Sequence, residues 1–100
     1  MKIIARPSCT GKTKELIAMA IEKNIPILCF NIQQARSIQE KSQFYFDTIA
    51  PTCMIQDILL DNCVVPYVLI DNADKALAWF MGEFTQFETK IEAITISTEN

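Results

Sequence analysis

The residues best suited to chemistry in this sequence lie near its start, in the stretch RPSCTGKT at residues 6–13. Gly11, Lys12 and Thr13 place a residue without a Cβ, a flexible cation and a hydroxyl in succession. Between an apolar strand and an amphipathic helix, this combination is typical of a phosphate-binding loop. Such a loop holds phosphate oxygens with consecutive backbone N–H groups and with the positive end of the helix dipole. We therefore expect an anion site at the start of the first helix.

Each of these residue types has a chemical reason to be there. Gly11 lets the backbone come close to a phosphate, because no Cβ obstructs the approach. Lys12 would bring a positive charge to the β- and γ-phosphates, and the Thr13 hydroxyl would ligate Mg²⁺. The complete set of predicted nucleotide-binding residues is Ser8, Cys9, Thr10, Gly11, Lys12 and Thr13.

A carboxylate much later in the chain completes the predicted metal site. Asp71 ends the apolar stretch VLID, the pattern of a buried strand followed by an acid. A carboxylate in that position holds Mg²⁺ through water. Thr13 and Asp71 are thus the predicted magnesium ligands. ATP is favoured over GTP as the nucleotide, because the chain has no N-K-x-D pattern that would specify guanine.

Short apolar and amphipathic segments would position these residues. Residues 2–5 predict a strand that Pro7 ends. A helix is expected over 13–24, since its apolar residues recur on one face and a proline follows. The stretch IPILCF at 25–30 is apolar on both faces, as a strand covered by helices on both sides would be.

The middle of the chain gives a clear helix and then a weak pattern. Asn31 offers an N-cap with Gln34 three residues later, which predicts a second helix to about Ser42. The segment 43–66 is the hardest to interpret. FYFDTIA within it suggests a short extended piece, and Thr52 suggests the cap of a short helix that carries Ile55, Ile58 and Leu59.

The last third of the sequence returns to a regular alternation. YVLID at 67–71 predicts a buried strand, and the apolar residues of 77–81 predict a helix that Gly82 ends. AITIS at 93–97 predicts the final strand. This order of strands and helices predicts one three-layer α/β domain over residues 1–100, with right-handed crossovers between parallel strands.

Composition excludes several classes of function. No apolar run approaches the roughly 20 residues that cross a bilayer, and MKIIARP lacks the pattern of a secretory signal, so a cytoplasmic protein without a membrane partner is expected. The 9 basic residues are scattered and the net charge is −3, which gives no indication of nucleic-acid binding. Four cysteines without a CxxC pair, in a chain without histidine, argue against zinc and favour free thiols.

On the loop RPSCTGKT and the strand VLID, the sequence resembles the P-loop NTPases over nearly its whole length. The resemblance is to the branch with an additional strand between the two motif-bearing strands, as in ATPases related to AAA proteins, helicases and recombinases. It implies helices on both faces of a parallel sheet of about four strands in the order 1-4-3-2, with AITIS between KIIA and YVLID. It also implies a γ-phosphate sensor at the end of the inserted strand, at Ser97 or Thr98.

Three departures from that branch bear on activity. The first glycine of its loop motif is Arg6 here, and a frequent small residue is Cys9. The glutamate that usually follows the metal-binding aspartate is Asn72, which cannot accept a proton. Asp74 is the remaining candidate for a catalytic base, and the fifth strand common in the branch is not expected. Nucleotide binding with slow or lost hydrolysis is therefore the leading hypothesis.

Two other functions remain open on the sequence. The loop also resembles the GPTxTGKT loop of isopentenyltransferases, and small-molecule kinases share the architecture, which suggests a transfer enzyme. Alternatively, the loop persists as a folding element in a non-catalytic structural or interaction protein. In the order 1-4-3-2 the first strand lies at an edge, so a second copy or another chain is expected to pair there and to supply an arginine such as Arg36.

Overall fold

The computed structural model describes residues 2–7, 11–59, 66–73 and 90–97. Strands and helices alternate along the chain. They are β1 (Lys2–Arg6), α1 (Lys12–Lys23), β2 (Ile27–Cys29), α2 (Ile32–Phe46), β3 (Thr52–Met54), α3 (Ile55–Leu59), β4 (Tyr67–Ile70) and β5 (Lys90–Ser97). The helix expected over 77–81 falls outside the described residues.

The five strands form one sheet in the order β1-β5-β4-β2-β3, and every pair of neighbours is parallel. The expected α/β class and parallel sheet are confirmed, but the order 1-4-3-2 with four strands is wrong for the whole sheet. The four expected strands keep their relative positions, and β3 is added beyond β2. Thr52 is therefore a strand residue that pairs with Ile27, and not the cap of a helix.

A three-residue strand leaves little trace in a sequence, because alternation needs several more residues to be visible. β3 is also followed at once by α3, which begins at Ile55. The short helix itself was expected. The strand in front of it was missed because Thr52, Cys53 and Met54 are all half-buried and show no alternation of exposure.

The second helix begins as expected and ends later. The Asn31 side chain accepts a hydrogen bond from the Gln34 N–H at 2.8 Å, so the predicted N-cap is confirmed. The helix continues beyond Ser42 to Phe46, and FYF is its last turn and not an extended piece. Asp47 then ends it in the left-handed conformation, with its N–H bonded to the Gln43 carbonyl.

Two apolar clusters cover the two faces of the sheet. On one face α1 and α2 contribute Leu16, Ile17 and Ile38, which pack with the strand residues Ile27 and Leu69. On the other face Ile55 from α3 packs with strand residues that alternate with the first set: Leu28, Val68, Ile70 and Ile94. Helices thus lie on both faces, as expected. No helix in the described ranges is long and apolar enough to cross a membrane.

At one end of the sheet order, β1 pairs with β5 and with no other described strand. Ile3 on β1 is 54 % exposed. We propose that a second copy of the chain adds along β1, because an exposed strand edge offers backbone groups for pairing. Arg36 lies on α2, which packs on β2 and β3 toward the other end of the order. The supply of an arginine such as Arg36 by a neighbour stays a prediction.

Ile3→Lys should weaken this association, because a charge on an edge strand opposes pairing. Sedimentation equilibrium over a range of concentrations measures the effect. Ile32→Lys is the matched control, since Ile32 is also exposed, at 60 %, but lies on α2. A wild-type chain that is monomeric at every concentration, with and without nucleotide, would rule the association out.

Candidate functional site

The candidate site lies where the carboxyl ends of β4 and β5 meet the start of α1. Gly11 precedes α1 in the left-handed conformation, with φ 83° and ψ 17°, and its carbonyl accepts the Glu15 N–H at 3.0 Å. A Cβ on Gly11 would meet no described atom within 4 Å. Glycine is therefore required here by its positive φ, which other residues adopt at a cost, and not by crowding among the described residues.

Lys12 is the first residue of α1, and only 6 % of it is exposed. Its ammonium donates a hydrogen bond to the Pro7 carbonyl at 3.0 Å, so it joins the two ends of the loop that connects β1 to α1. An ammonium has three donors. This bond therefore leaves Lys12 with capacity to bind further oxygens beside the positive end of the helix.

The structure brings together the two predicted magnesium ligands, although they lie on different elements. The Thr13 hydroxyl, in the first turn of α1, is 3.0 Å from Asp71 Oδ2 and 3.2 Å from Asp71 Oδ1. Asp71 follows β4 directly and is buried. Since a hydroxyl has one proton, Thr13 donates to one carboxylate oxygen at a time.

A hydroxyl and a carboxylate fit Mg²⁺, which prefers oxygen ligands. The described residues contain no group of three or more carboxylate, thiol or imidazole side chains that would surround a metal. Mg²⁺ usually takes one or two protein ligands and completes its shell with water and phosphate oxygens. Thr13 and Asp71 are the residues that would hold it.

Thr95 is the site residue that the sequence analysis missed. It is fully buried in β5, where it donates a hydrogen bond to Asp71 Oδ1 and accepts the Asn72 N–H at 2.8 Å. The register places it there, because Ile70 pairs with Ile94 and the next residue on each strand is a site residue. A signal was present, since a hydroxyl in the middle of an otherwise apolar strand needs a buried partner.

The assignment of a γ-phosphate sensor to Ser97 or Thr98 stays a prediction. Ser97 is the last residue of β5 and pairs with Arg6, two positions beyond Thr95. Thr98 lies outside the described residues, as do Ser8, Cys9 and Thr10 of the loop and the candidate base Asp74. Thr95 is the hydroxyl of β5 that contacts the Asp71 carboxylate.

Asn72 has a positive φ of 56°, a conformation that asparagine tolerates better than most residues. Its N–H is held by Thr95, and its side-chain amide lies 3.5 Å from Asp71 Oδ2. Asn72 thus turns the chain at the end of β4 and borders the carboxylate. Its amide cannot take a proton from water.

Arg6 occupies the place of the first glycine in the loop motif without disturbing the backbone. It is the last residue of β1, extended and paired with Ser97, so no glycine is needed at this position. Its guanidinium donates to Glu15 Oε1 at 2.9 Å, and Lys2 lies 3.8 Å from the other Glu15 oxygen. These exposed pairs contribute at most about 1 kcal/mol each.

Cys29, at the end of β2, is a second residue that the sequence analysis did not connect with the site. Burial, and then the negative charge of Asp71, raise the pKa of the Cys29 thiol to about 11. The thiol therefore stays protonated at neutral pH, and its Sγ lies 3.5 Å from the Ile27 carbonyl. Cys29 acts as a small core residue and not as a nucleophile.

Comparisons of the chain with protein-family models, with curated proteins and with solved structures found no match.

Thr95→Val should lower the free energy of unfolding by about 1–3 kcal/mol, because it removes one of the two hydroxyl donors to the buried Asp71 carboxylate and leaves the Asn72 N–H without its acceptor. Urea denaturation measures the change. Thr52→Val is the matched control, since Thr52 accepts a bond from Gln39 at 3.3 Å on a half-buried strand. Equal losses in the two variants would contradict the role given to Thr95.

Proposed function

We propose that this chain binds a nucleoside triphosphate, ATP with Mg²⁺, at the start of α1 and hydrolyses it slowly or not at all. The contact between Thr13 and Asp71 is the observation that carries the proposal. It joins the hydroxyl that follows the glycine–lysine pair to the carboxylate that ends β4. Two predicted ligands of one metal, far apart in sequence, thereby come within hydrogen-bonding distance.

The surroundings of that contact favour an anionic ligand. A left-handed glycine leads into a twelve-residue helix whose first residue is a buried lysine. The first backbone N–H groups of a helix have no partner within it and favour negative charge. Lys12 adds a full positive charge at the same end. A triphosphate supplies the oxygens that both kinds of donor would bind.

Mg²⁺, when bound, would supply a positive charge that offsets the negative charge of phosphate oxygens. Thr13 and Asp71 would orient it, and Thr95 would hold the Asp71 carboxylate in place. Hydrolysis also needs a group that accepts or orients a proton of the attacking water. Asn72 stands beside Asp71 and cannot accept one, which is why slow turnover is proposed.

One observation favours the non-catalytic alternative. Within the described ranges, no buried side-chain nitrogen or oxygen lacks a hydrogen-bond partner. Thr13, Asp71 and Thr95 satisfy one another without a ligand, so the same contacts could serve folding alone. The distinction is experimental, because only the nucleotide-binding proposal requires stabilisation by added ligand.

Lys12→Ala should abolish the stabilisation of the chain by MgATP. A ligand at 100 times its Kd stabilises the native state by about 2.7 kcal/mol, which raises the unfolding temperature of a small domain by several degrees. Thermal unfolding with and without MgATP measures this shift. Lys23→Ala is the control, since Lys23 lies in the last turn of the same helix. Equal shifts in wild type and Lys12→Ala would refute binding at this site.

Wild-type ATP turnover should be very slow, and Asn72→Glu should raise it at least about tenfold by supplying a proton acceptor. Phosphate release under saturating MgATP measures the rate. Asn72→Gln is the matched control, because it imposes the same strain at positive φ without a carboxylate. Fast wild-type hydrolysis that does not respond to position 72 would show that another residue is the base.

A further inference from the structure

The side chain of Arg6 reaches from the end of β1 to the first turn of α1. Its guanidinium donates a hydrogen bond to Glu15 Oε1 at 2.9 Å. Lys2 lies on the same face of β1, because side chains alternate along a strand, and its ammonium is 3.8 Å from the other Glu15 oxygen. The Glu15 carboxylate is therefore paired with cations that both come from the first strand.

Glu15 is an anion at the end of α1 that would hold the phosphates. It follows Lys12 by three residues in the helix, so its Cα lies about 4.5 Å farther along the helix axis. Its N–H bonds to the Gly11 carbonyl at 3.0 Å, which places it in the turn that follows the left-handed glycine. A carboxylate in the first turn is attracted to the same positive helix end as a phosphate. Glu15 and a bound triphosphate would therefore repel each other.

Arg6 offsets this repulsion because it brings a positive charge to the same turn. The Arg6 and Glu15 side chains are 39 % and 42 % exposed, so solvent screens their charges only in part. Charges near a protein surface interact through a lower effective dielectric constant than that of water, and salt screens them over about 10 Å at 0.1 M. Together Arg6 and Glu15 add no net charge beside the phosphate site, whereas Glu15 alone would add a negative one.

We infer that Arg6 is a specificity-determining residue of the candidate site, because it compensates the charge of Glu15 and so favours a polyanion at the start of α1. This inference rests on the proposed function. The energy between two charges scales with the size of each, so the effect of Arg6 grows with the negative charge of the ligand. MgATP carries more negative charge than MgADP. Arg6 therefore favours the triphosphate over the diphosphate.

Isothermal titration with MgATP and MgADP at low salt tests this role. Arg6→Gln should weaken MgATP binding about threefold, Glu15→Gln should tighten it by a similar factor, and the double variant should bind as wild type does. Each change should be smaller for MgADP, and the differences between variants should disappear at about 1 M salt, where the screening length falls to about 3 Å. Arg6→Lys keeps the charge and should bind as wild type does.

Glu22→Gln is the matched control, since Glu22 is an exposed acid in the last turn of the same helix and should not affect binding. The sign of the Glu15→Gln effect separates a charge effect from a structural one. If the ion pair only braced the connection between β1 and α1, Arg6→Gln and Glu15→Gln would both weaken binding, and that result would overturn the inference.

Single variants that bind MgATP as tightly as wild type would also overturn it. Wild type that binds neither nucleotide would instead reject the phosphate site, and the role of Arg6 with it. Thermal unfolding of each variant confirms that it is folded.

Discussion

The Asp71 carboxylate is the group on which the arrangement of the site depends. It is buried at the end of β4 and accepts hydrogen bonds from Thr13 on α1 and Thr95 on β5. A buried carboxylate without donors is strongly unfavourable, so these hydroxyls are needed wherever Asp71 is ionised. The same bonds fix the first turn of α1 against two central strands. The start of the helix, and with it Lys12, is thereby held at the carboxyl edge of the sheet.

Much of this could be predicted from the sequence because the signals are local. The glycine before α1, the apolar strand that ends in Asp71 and the Asn31 cap each depend on a few neighbouring residues. A parallel sheet then requires the carboxyl ends of its strands to share one edge, which brings Thr13 and Asp71 together. The relative order of four strands, in contrast, came from resemblance to a family, and the bonding pattern of β5 agrees with it.

The features that were missed depend on distant parts of the chain. β3 has three residues and exists because β2 offers it an edge, so its own pattern could not reveal it. Thr95 contacts Asp71 only because of the register between β4 and β5. A shift of one residue in that register would turn the Thr95 side chain to the other face of the sheet. Tyr45 is near Lys14 because α2 is one turn longer than its apolar pattern suggested. Ser97 and Thr98 were named in the sequence analysis because the resemblance implied a sensor at the end of the inserted strand.

The Asp71 carboxylate has two hydroxyl donors, Thr13 and Thr95. Their positions bear on which hydrogen bonds the carboxylate would keep if a cation binds. In the proposed complex the Thr13 oxygen would offer a lone pair to the cation, and its one proton would still be free to be donated to Asp71. Asp71 still keeps the bond from Thr95, which lies deeper and has no exposed surface. The carboxylate would therefore keep its orientation if a cation binds. Thr95 thus satisfies the buried carboxylate and the Asn72 N–H, which explains why a buried hydroxyl interrupts the apolar stretch AITIS.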